Sequence, residues 1–268
     1  MKTETISLRP ENPAVTLTTY IADPSPELKM PPRPAIVVFP GGGYTHLSPR
    51  EAEPIAMRFW EAGFQAFVLR YSINEHAAFP NALVDASRAV AHVRENAEAY
   101  NVNPARVFVI GFSAGGHLAA TLGTMYNTPY AAFPGMKPGD NRPTGMILSY
   151  APTSVETEHI AQSFLRTVGR DMTLDELRGY SPDHLVTGDT PPAYIWHTFT
   201  DQVVPVEHSL RMADALAAAG VPFEMHIFPA GPHGISLANT LTCAQNEKYL
   251  VPEAEQWIDE AIAWAKRL

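Results

Sequence analysis

Gly111-Phe112-Ser113-Ala114-Gly115 sets a serine between glycines two residues away on either side. It follows the β-rich run Val107 to Ile110 and leads into a helical stretch, Gly116 to Met125. A serine on so tight a strand-to-helix turn is held out at a helix N-terminus, where the positive end of the dipole favours developing negative charge. The chemistry such a residue can do is nucleophilic attack on an acyl carbon. A serine hydroxyl is weak at neutral pH, so it needs a base within hydrogen-bonding reach.

Where a turn of this kind supplies the nucleophile, an acid and then a histidine follow it in the chain. Gly231-Pro232-His233-Gly234 lies just past the run Phe223 to Phe228, and its glycines let a loop carry the imidazole over Ser113. Asp201 follows the run Ala193 to His197 and is the expected orienting acid; Asp189 precedes that run and Glu207 falls inside the next helix. His117, His197, His208 and His226 are expected to be structural. Acyl transfer also needs donors aimed at the oxygen that becomes negative. Pro40-Gly41-Gly42-Gly43-Tyr44 follows the apolar run Ala35 to Phe39, and the N–H groups of Gly42, Gly43 and Ala114 are the expected oxyanion donors. A nucleotide loop would need a following Lys-Ser/Thr or a G-x-G-x-x-G pattern, and neither is met.

These residues sit where strands and helices alternate. Strands are expected over Val15 to Ile21, Ala35 to Phe39, Gln65 to Tyr71, Val107 to Ile110, Met146 to Tyr150, Ala193 to His197 and Phe223 to Phe228. Between them fall helical patterns over Glu51 to Ala62, Asn81 to Tyr100 and Val206 to Ala219, and a last helix starts near Pro252. Such alternation predicts an α/β fold, a mostly parallel central sheet with helices on both faces. Ligands in such sheets bind beyond the carboxyl ends of the strands, which is where every motif above lies.

The chain has 268 residues and a formal net charge of −9. The length suits a single domain over 1–268, and the charge argues against a nucleic-acid partner. No apolar run is long enough for a membrane span, and MKTETISLRP lacks the apolar stretch of a signal peptide, so a cytoplasmic location is expected. The single cysteine, Cys243, permits no intrachain disulfide and reads as a small apolar filler.

With these motifs in hand, the chain resembles the α/β-hydrolase family of small bacterial esterases described as acetyl xylan esterases, close to the BD-FAE-like group. PGGGY at Pro40 to Tyr44, FVLRYS at Phe67 to Ser72 and FPNALVDASRAVAHVR at Phe79 to Arg94 carry the resemblance. So do VIGFSAGGHLAA at Val109 to Ala120, the loop around Asp201, and GPHGISLA at Gly231 to Ala238. It implies a serine carboxylic-ester hydrolase acting through an acyl-enzyme on short acyl, chiefly acetyl, esters such as acetylated sugars. It implies a small-molecule ester substrate and no cofactor, and no metal ligand is assigned. Pro40 stands where HGGG-type esterases carry histidine, which removes one side chain that could brace the loop. Loops 124–144 and 152–191 would set substrate choice. The second is expected to hold short helices over Glu156 to Thr167 and Thr173 to Leu177. Phe133, Phe164 and Leu165 suit an acyl pocket and the insert's own core equally. A prolyl-oligopeptidase-type peptidase and a non-catalytic binding protein are the alternatives.

Overall fold

The computed structural model describes residues 1–27, 29–156 and 172–268. They build one eight-stranded sheet, ordered β1-β2-β4-β3-β5-β6-β7-β8. Its strands are β1 (Lys2–Ser7), β2 (Thr16–Ile21), β3 (Arg33–Phe39), β4 (Gln65–Arg70), β5 (Val102–Phe112), β6 (Met146–Ser149), β7 (Ala193–Thr198) and β8 (Phe223–Phe228). From β4 across to β8 all neighbours are parallel, while β1 and β2 add an antiparallel edge. The expected mostly parallel sheet is therefore present.

The helices are α1 (Glu53–Glu61), α2 (Asn81–Glu95), α3 (Ala114–Met125), α4 (Leu174–Arg178), α5 (Pro182–Leu185), α6 (Glu207–Ala218) and α7 (Trp257–Arg267). Successive strand residues point to opposite faces, and both faces are apolar because both are covered. Val37, Phe39, Val107 and Val109 join Leu83 and Val90 of α2, Leu118 of α3 and Met212 of α6 in one core. Ile36, Val38, Phe108 and Ile110 join Ile55 and Phe59 of α1 and Trp257 of α7 in the other. Each such large side chain contributes about 2 kcal/mol by burial. Among the described residues no helix is long and apolar enough to cross a membrane.

Several expected boundaries move. The helix expected over Asn81 to Tyr100 ends at Glu95. There the Asn96 side chain donates to the carbonyl of His92 at 2.8 Å, and the chain turns so that Val102 can join the sheet. The helix expected from Glu51 begins at Glu53, because a single 3-10 turn (Pro49–Glu51) precedes it and Ala52 breaks the path with φ −110°, ψ −105°. Strand β1 has no apolar alternation to reveal it, since its residues are largely exposed and it is held by its pairing with β2. The last helix is likewise split, a 3-10 turn at Pro252–Ala254 preceding α7. The expected helix at Thr173 to Leu177 is α4, with Thr173 and Glu176 forming a reciprocal capping box. Most of the helix expected over Glu156 to Thr167, with Phe164 and Leu165, lies outside the described residues. Phe133 packs under the guanidinium of Arg88, 4.6 Å from its ring centre.

One buried ion pair ties the antiparallel edge to the region of the glycine loop. Asp85 of α2 is fully buried; it accepts from the Ser72 N–H at 2.8 Å and from Arg9 at 3.1 Å. The neighbouring Tyr71 hydroxyl donates to the Pro40 carbonyl at 2.6 Å. Burial pushes the Asp85 carboxyl up, and the bonds from Ser72 and Arg9 oppose that push. Replacing Arg9 by methionine strands this carboxyl in the core, with an expected loss of about 3 kcal/mol in urea denaturation at neutral pH. A midpoint equal to that of the parent would show that Arg9 contributes nothing to this junction.

Candidate active site

Strand β5 ends at Phe112, and Ser113 turns the chain into α3 with φ 50° and ψ −119°. A non-glycine residue there is strained by on the order of 1–3 kcal/mol and persists only where its surroundings impose it. The surroundings are backbone. A Cβ on Gly115 would lie 2.0 Å from the Phe39 carbonyl oxygen, and one on Gly111 would lie 2.0 Å from that of Gly115. The motif's glycines thus let α3 press directly on the end of β3. The Ser113 N–H donates to the Ser149 carbonyl at 3.0 Å, which ties the turn to β6 as well.

The three residues singled out from the sequence meet here. His233 Nε2 lies 2.8 Å from Ser113 Oγ, and His233 Nδ1 lies 2.6 Å from Asp201 Oδ2. A carboxylate can only accept, so Nδ1 carries the proton and Nε2 is free to accept from the serine hydroxyl. The Asp201 side chain is inaccessible to solvent, and that of His233 is 16% exposed. The other carboxylate oxygen, Oδ1, accepts from the N–H groups of Val203 and Val204 at 2.8 and 3.0 Å. Burial works against the charge of Asp201, but hydrogen bonds from His197 and His233 outweigh it and hold the carboxyl well below the usual range. The rivals Asp189 and Glu207 are exposed.

His197 is closer to this chemistry than its expected structural role implied. Its Nε2 donates to the Val204 carbonyl at 2.9 Å and approaches Asp201 Oδ2 at 3.4 Å, while Nδ1 pairs with Ser209 Oγ at 2.8 Å. It clamps the loop that carries the acid. His208 is buried in α6, where Nδ1 accepts from the Ser154 N–H at 3.1 Å. His226, on the edge strand β8, lies between Glu224 and Glu260 at 3.0 and 3.2 Å. Half-buried Cys243 makes a weak contact with the Thr240 carbonyl.

The glycine loop is pinned on both sides of Gly42 and Gly43. Tyr71 holds the Pro40 carbonyl, and the Gly41 N–H donates to Glu51 Oε2 at 3.0 Å. On the far side, the Tyr44 hydroxyl donates to His117 Nδ1 at 2.7 Å, and Thr121 meets Nε2 at 3.3 Å. Burial pulls the His117 imidazole down to about 4, so it is neutral and serves as a brace behind the serine. Gly42 and Gly43 take positive φ of 132° and 60°. Among the described residues, their N–H groups and that of Ala114 have no protein acceptor. Gly42, Gly43, Ser113 and His233 line one cleft of about 530 Å³. Such an arrangement can move a proton from Ser113 to His233 as the hydroxyl attacks a carbonyl, and offer backbone donors to the resulting oxyanion.

Sequence reasoning missed Glu51, which is 3% exposed. Its Oε1 accepts from the Tyr150 hydroxyl at 2.7 Å. Burial, and then the Glu51 charge, push the Tyr150 phenol well above its ordinary value, so it stays a donor. A signal existed in the spacing: in the helix expected from Glu51, this carboxylate falls four and eight residues before Ile55 and Phe59, in register with an apolar stripe.

The chain matches the BD-FAE family over residues 24–216. It is 33% identical to an acetylxylan esterase of Xylanibacter ruminicola over 75% of this chain and 40% of that protein. The solved structure of MGS-M1, an α/β hydrolase from a Medee basin deep-sea metagenome library, has a TM-score of 0.83 at 36% identity, covering 100% of this chain and 97% of that one. An acetyl ester-xyloside bifunctional hydrolase from Caldicellulosiruptor lactoaceticus gives a TM-score of 0.83 at 34% identity, covering 98% and 96%. The chain spans only 33%, 52% and 40% of the first curated relatives it matches. Sequence match and sheet topology agree: the chain belongs to the BD-FAE family of α/β hydrolases.

Proposed function

We propose that the protein is a serine carboxylesterase that hydrolyses short acyl esters, with Ser113 as nucleophile, His233 as general base and acid, and Asp201 as the orienting carboxylate. The observation that carries the reading is the hydrogen-bonded line from Asp201 through His233 to Ser113, at 2.6 and 2.8 Å, on a serine whose backbone is strained outward. Ser113 Oγ bonds to the acyl carbon as its proton passes to His233 Nε2. The tetrahedral oxyanion rests on the N–H groups of Gly42, Gly43 and Ala114. As that intermediate collapses, the C–O bond to the alcohol breaks and His233 returns the proton to the leaving oxygen. Water, deprotonated by the same imidazole, then attacks the acyl-enzyme, and the acid leaves as Ser113 recovers its proton.

The cleft beside Ser113 carries several polar side chains that could meet the alcohol part of an ester. Thr45, His46, Ser48, Arg50 and Lys248 line it together with Tyr249, whose ring lies under the Arg50 guanidinium and the Lys248 ammonium at 4.5 and 4.8 Å. Their hydroxyl, imidazole and cationic groups can hydrogen-bond the hydroxyls of a sugar. The similarity to proteins named as acetylxylan esterase and acetyl ester-xyloside hydrolase supports acetylated sugars as the substrate class.

Expected outcomes follow for p-nitrophenyl acetate. Ser113→Ala and His233→Ala each lower kcat by roughly four to six orders of magnitude, and Asp201→Asn by roughly three to four. Near-full activity in Asp201→Asn would remove Asp201 from its role. Across a panel of acyl lengths and acetylated xylo-oligosaccharides, kcat/KM should be highest for acetyl esters and should exceed cleavage of a prolyl p-nitroanilide. The reverse order would favour a peptidase, and failure of a fluorophosphonate to label Ser113 would favour a binding protein.

The depressed Asp201 carboxyl also predicts a pH effect on stability. The unfolded chain takes up this proton near pH 4, whereas the native state resists it to lower pH. The contribution is therefore present above that value and is lost as pH falls toward the native value. Urea midpoints of Asp201→Asn should decline less steeply than those of the parent below pH 4. Parallel declines would contradict the assignment.

A further inference from the structure

The histidine that braces the glycine loop in HGGG-type esterases is replaced here by Pro40, which offers no side-chain hydrogen bond. A buried carboxylate stands at the next residue instead. Glu51 Oε2 takes the Gly41 N–H at 3.0 Å, and its Oε1 takes the Tyr150 hydroxyl at 2.7 Å. Gly41 is itself shaped to this contact: a Cβ there would lie 2.7 Å from Glu51 Oε2 and 2.7 Å from the Phe112 carbonyl oxygen. Consuming the first amide of the triple glycine leaves the next two for a ligand.

The same carboxylate reaches the histidine loop through Tyr150. The Tyr150 oxygen accepts from the Ser236 N–H at 3.2 Å, and its ring meets the His233 imidazole edge-on at 5.1 Å between centroids. Ser236 Oγ in turn donates to the carbonyl of Arg50, the residue before Glu51, at 2.6 Å. Tyr150 and Ser236 both hold positive φ, 38° and 54°. Strained backbone on both sides of one carboxylate, at the end of β6 and in the loop that carries His233, indicates a junction that the surrounding structure imposes.

We propose that Glu51 is a positioning residue for acyl transfer, fixing the Gly42 and Gly43 amides relative to Ser113 and, through Tyr150, the loop that carries His233. The proposal rests on the hydrolase reading above. It places Glu51 in contact with neither the acyl group nor the reacting atoms. Its effect should therefore fall on the charged tetrahedral state and leave ground-state binding nearly unchanged.

Glu51→Gln keeps size and shape but has one acceptor oxygen for two donors, so either Gly41 or Tyr150 is left facing an NH2 group. With p-nitrophenyl acetate, its kcat is expected to fall on the order of 10- to 100-fold with KM within about threefold of the parent. Affinity for an alkyl boronic acid, which forms a tetrahedral adduct on Ser113, should fall in parallel. Tyr150→Phe retains the ring beside His233 and removes only the hydroxyl link, and should cost kcat about tenfold. Circular dichroism establishes that each variant is folded; if Glu51→Gln is not, Tyr150→Phe decides. A folded Glu51→Gln, or in its absence Tyr150→Phe, with kcat and boronic-acid affinity within twofold of the parent overturns the proposal. So does a kcat loss without any loss of boronic-acid affinity. Fluorophosphonate labelling of Ser113 in the parent reports separately on the hydrolase reading: an unlabelled, inactive parent condemns that reading, whereas a labelled, active parent with unaffected variants condemns only the role of Glu51.

Discussion

The backbone contact between Gly115 and the end of β3 is the constraint on which the site depends. It lets the first turn of α3 sit against the Phe39 and Pro40 carbonyls at a distance no side chain would allow. Ser113 is thereby forced to positive φ and its hydroxyl outward. The loop that continues from Phe39 through Gly41 to Gly43 is brought beside the same hydroxyl. One contact therefore places the proposed nucleophile and oxyanion donors together, and the strain at Ser113 is maintained by packing that the sheet supplies in any case. A β-carbon at Gly115 would separate the two strands' carboxyl ends as well as crowd the turn.

Two buried carboxylates flank that contact and are satisfied in different ways. Asp201 faces two imidazoles and two backbone N–H groups, so its charge is strongly favoured in spite of burial. Glu51 faces one backbone N–H and one phenol. The first arrangement orients the His233 ring, which in the proposed reaction takes and returns a proton. The second holds backbone, where no proton needs to move. An imidazole at Glu51's place could accept at one nitrogen only, whereas the carboxylate can serve the glycine loop and the tyrosine together. That capacity fits a loop whose proline has removed the customary brace.

Much of this was legible in the sequence because the chemistry is carried by short motifs next to strands. Ser113, Asp201 and His233 each follow a strand in the expected order, and strand alternation predicts the parallel sheet that brings their loops to one rim. What was not legible is what depends on contacts distant in sequence. Glu51 lies 99 residues from Tyr150 in the chain, and its pairing with Gly41 depends on how a 3-10 turn packs beneath a loop. His197 read as a structural residue at the end of an expected strand, and its approach to Asp201 follows from the turn at Thr198 to Val204 folding back on β7. The early end of α2 is an effect of the same kind: helical periodicity persists to Tyr100, but Asn96 caps the helix and Val102 is drawn into the sheet.

The same geometry separates what must be rigid from what can vary. The residues of the proposed reaction sit in loops beyond strand ends and are locked by backbone hydrogen bonds, a neutral buried imidazole or a carboxylate. The wall that would meet the alcohol is built from Thr45 to Arg50 and from Lys248 and Tyr249, segments that belong to no strand. Arg50 joins the two, since its backbone carbonyl anchors Ser236 while its guanidinium lies 4.5 Å over the Tyr249 ring and donates to the Thr242 carbonyl. Lys248 stands apart from the glycine loop, whereas Thr45 is tied to it, its Oγ1 donating to the Gly42 carbonyl at 3.0 Å. A change at Arg50 perturbs the cleft wall and the histidine loop together.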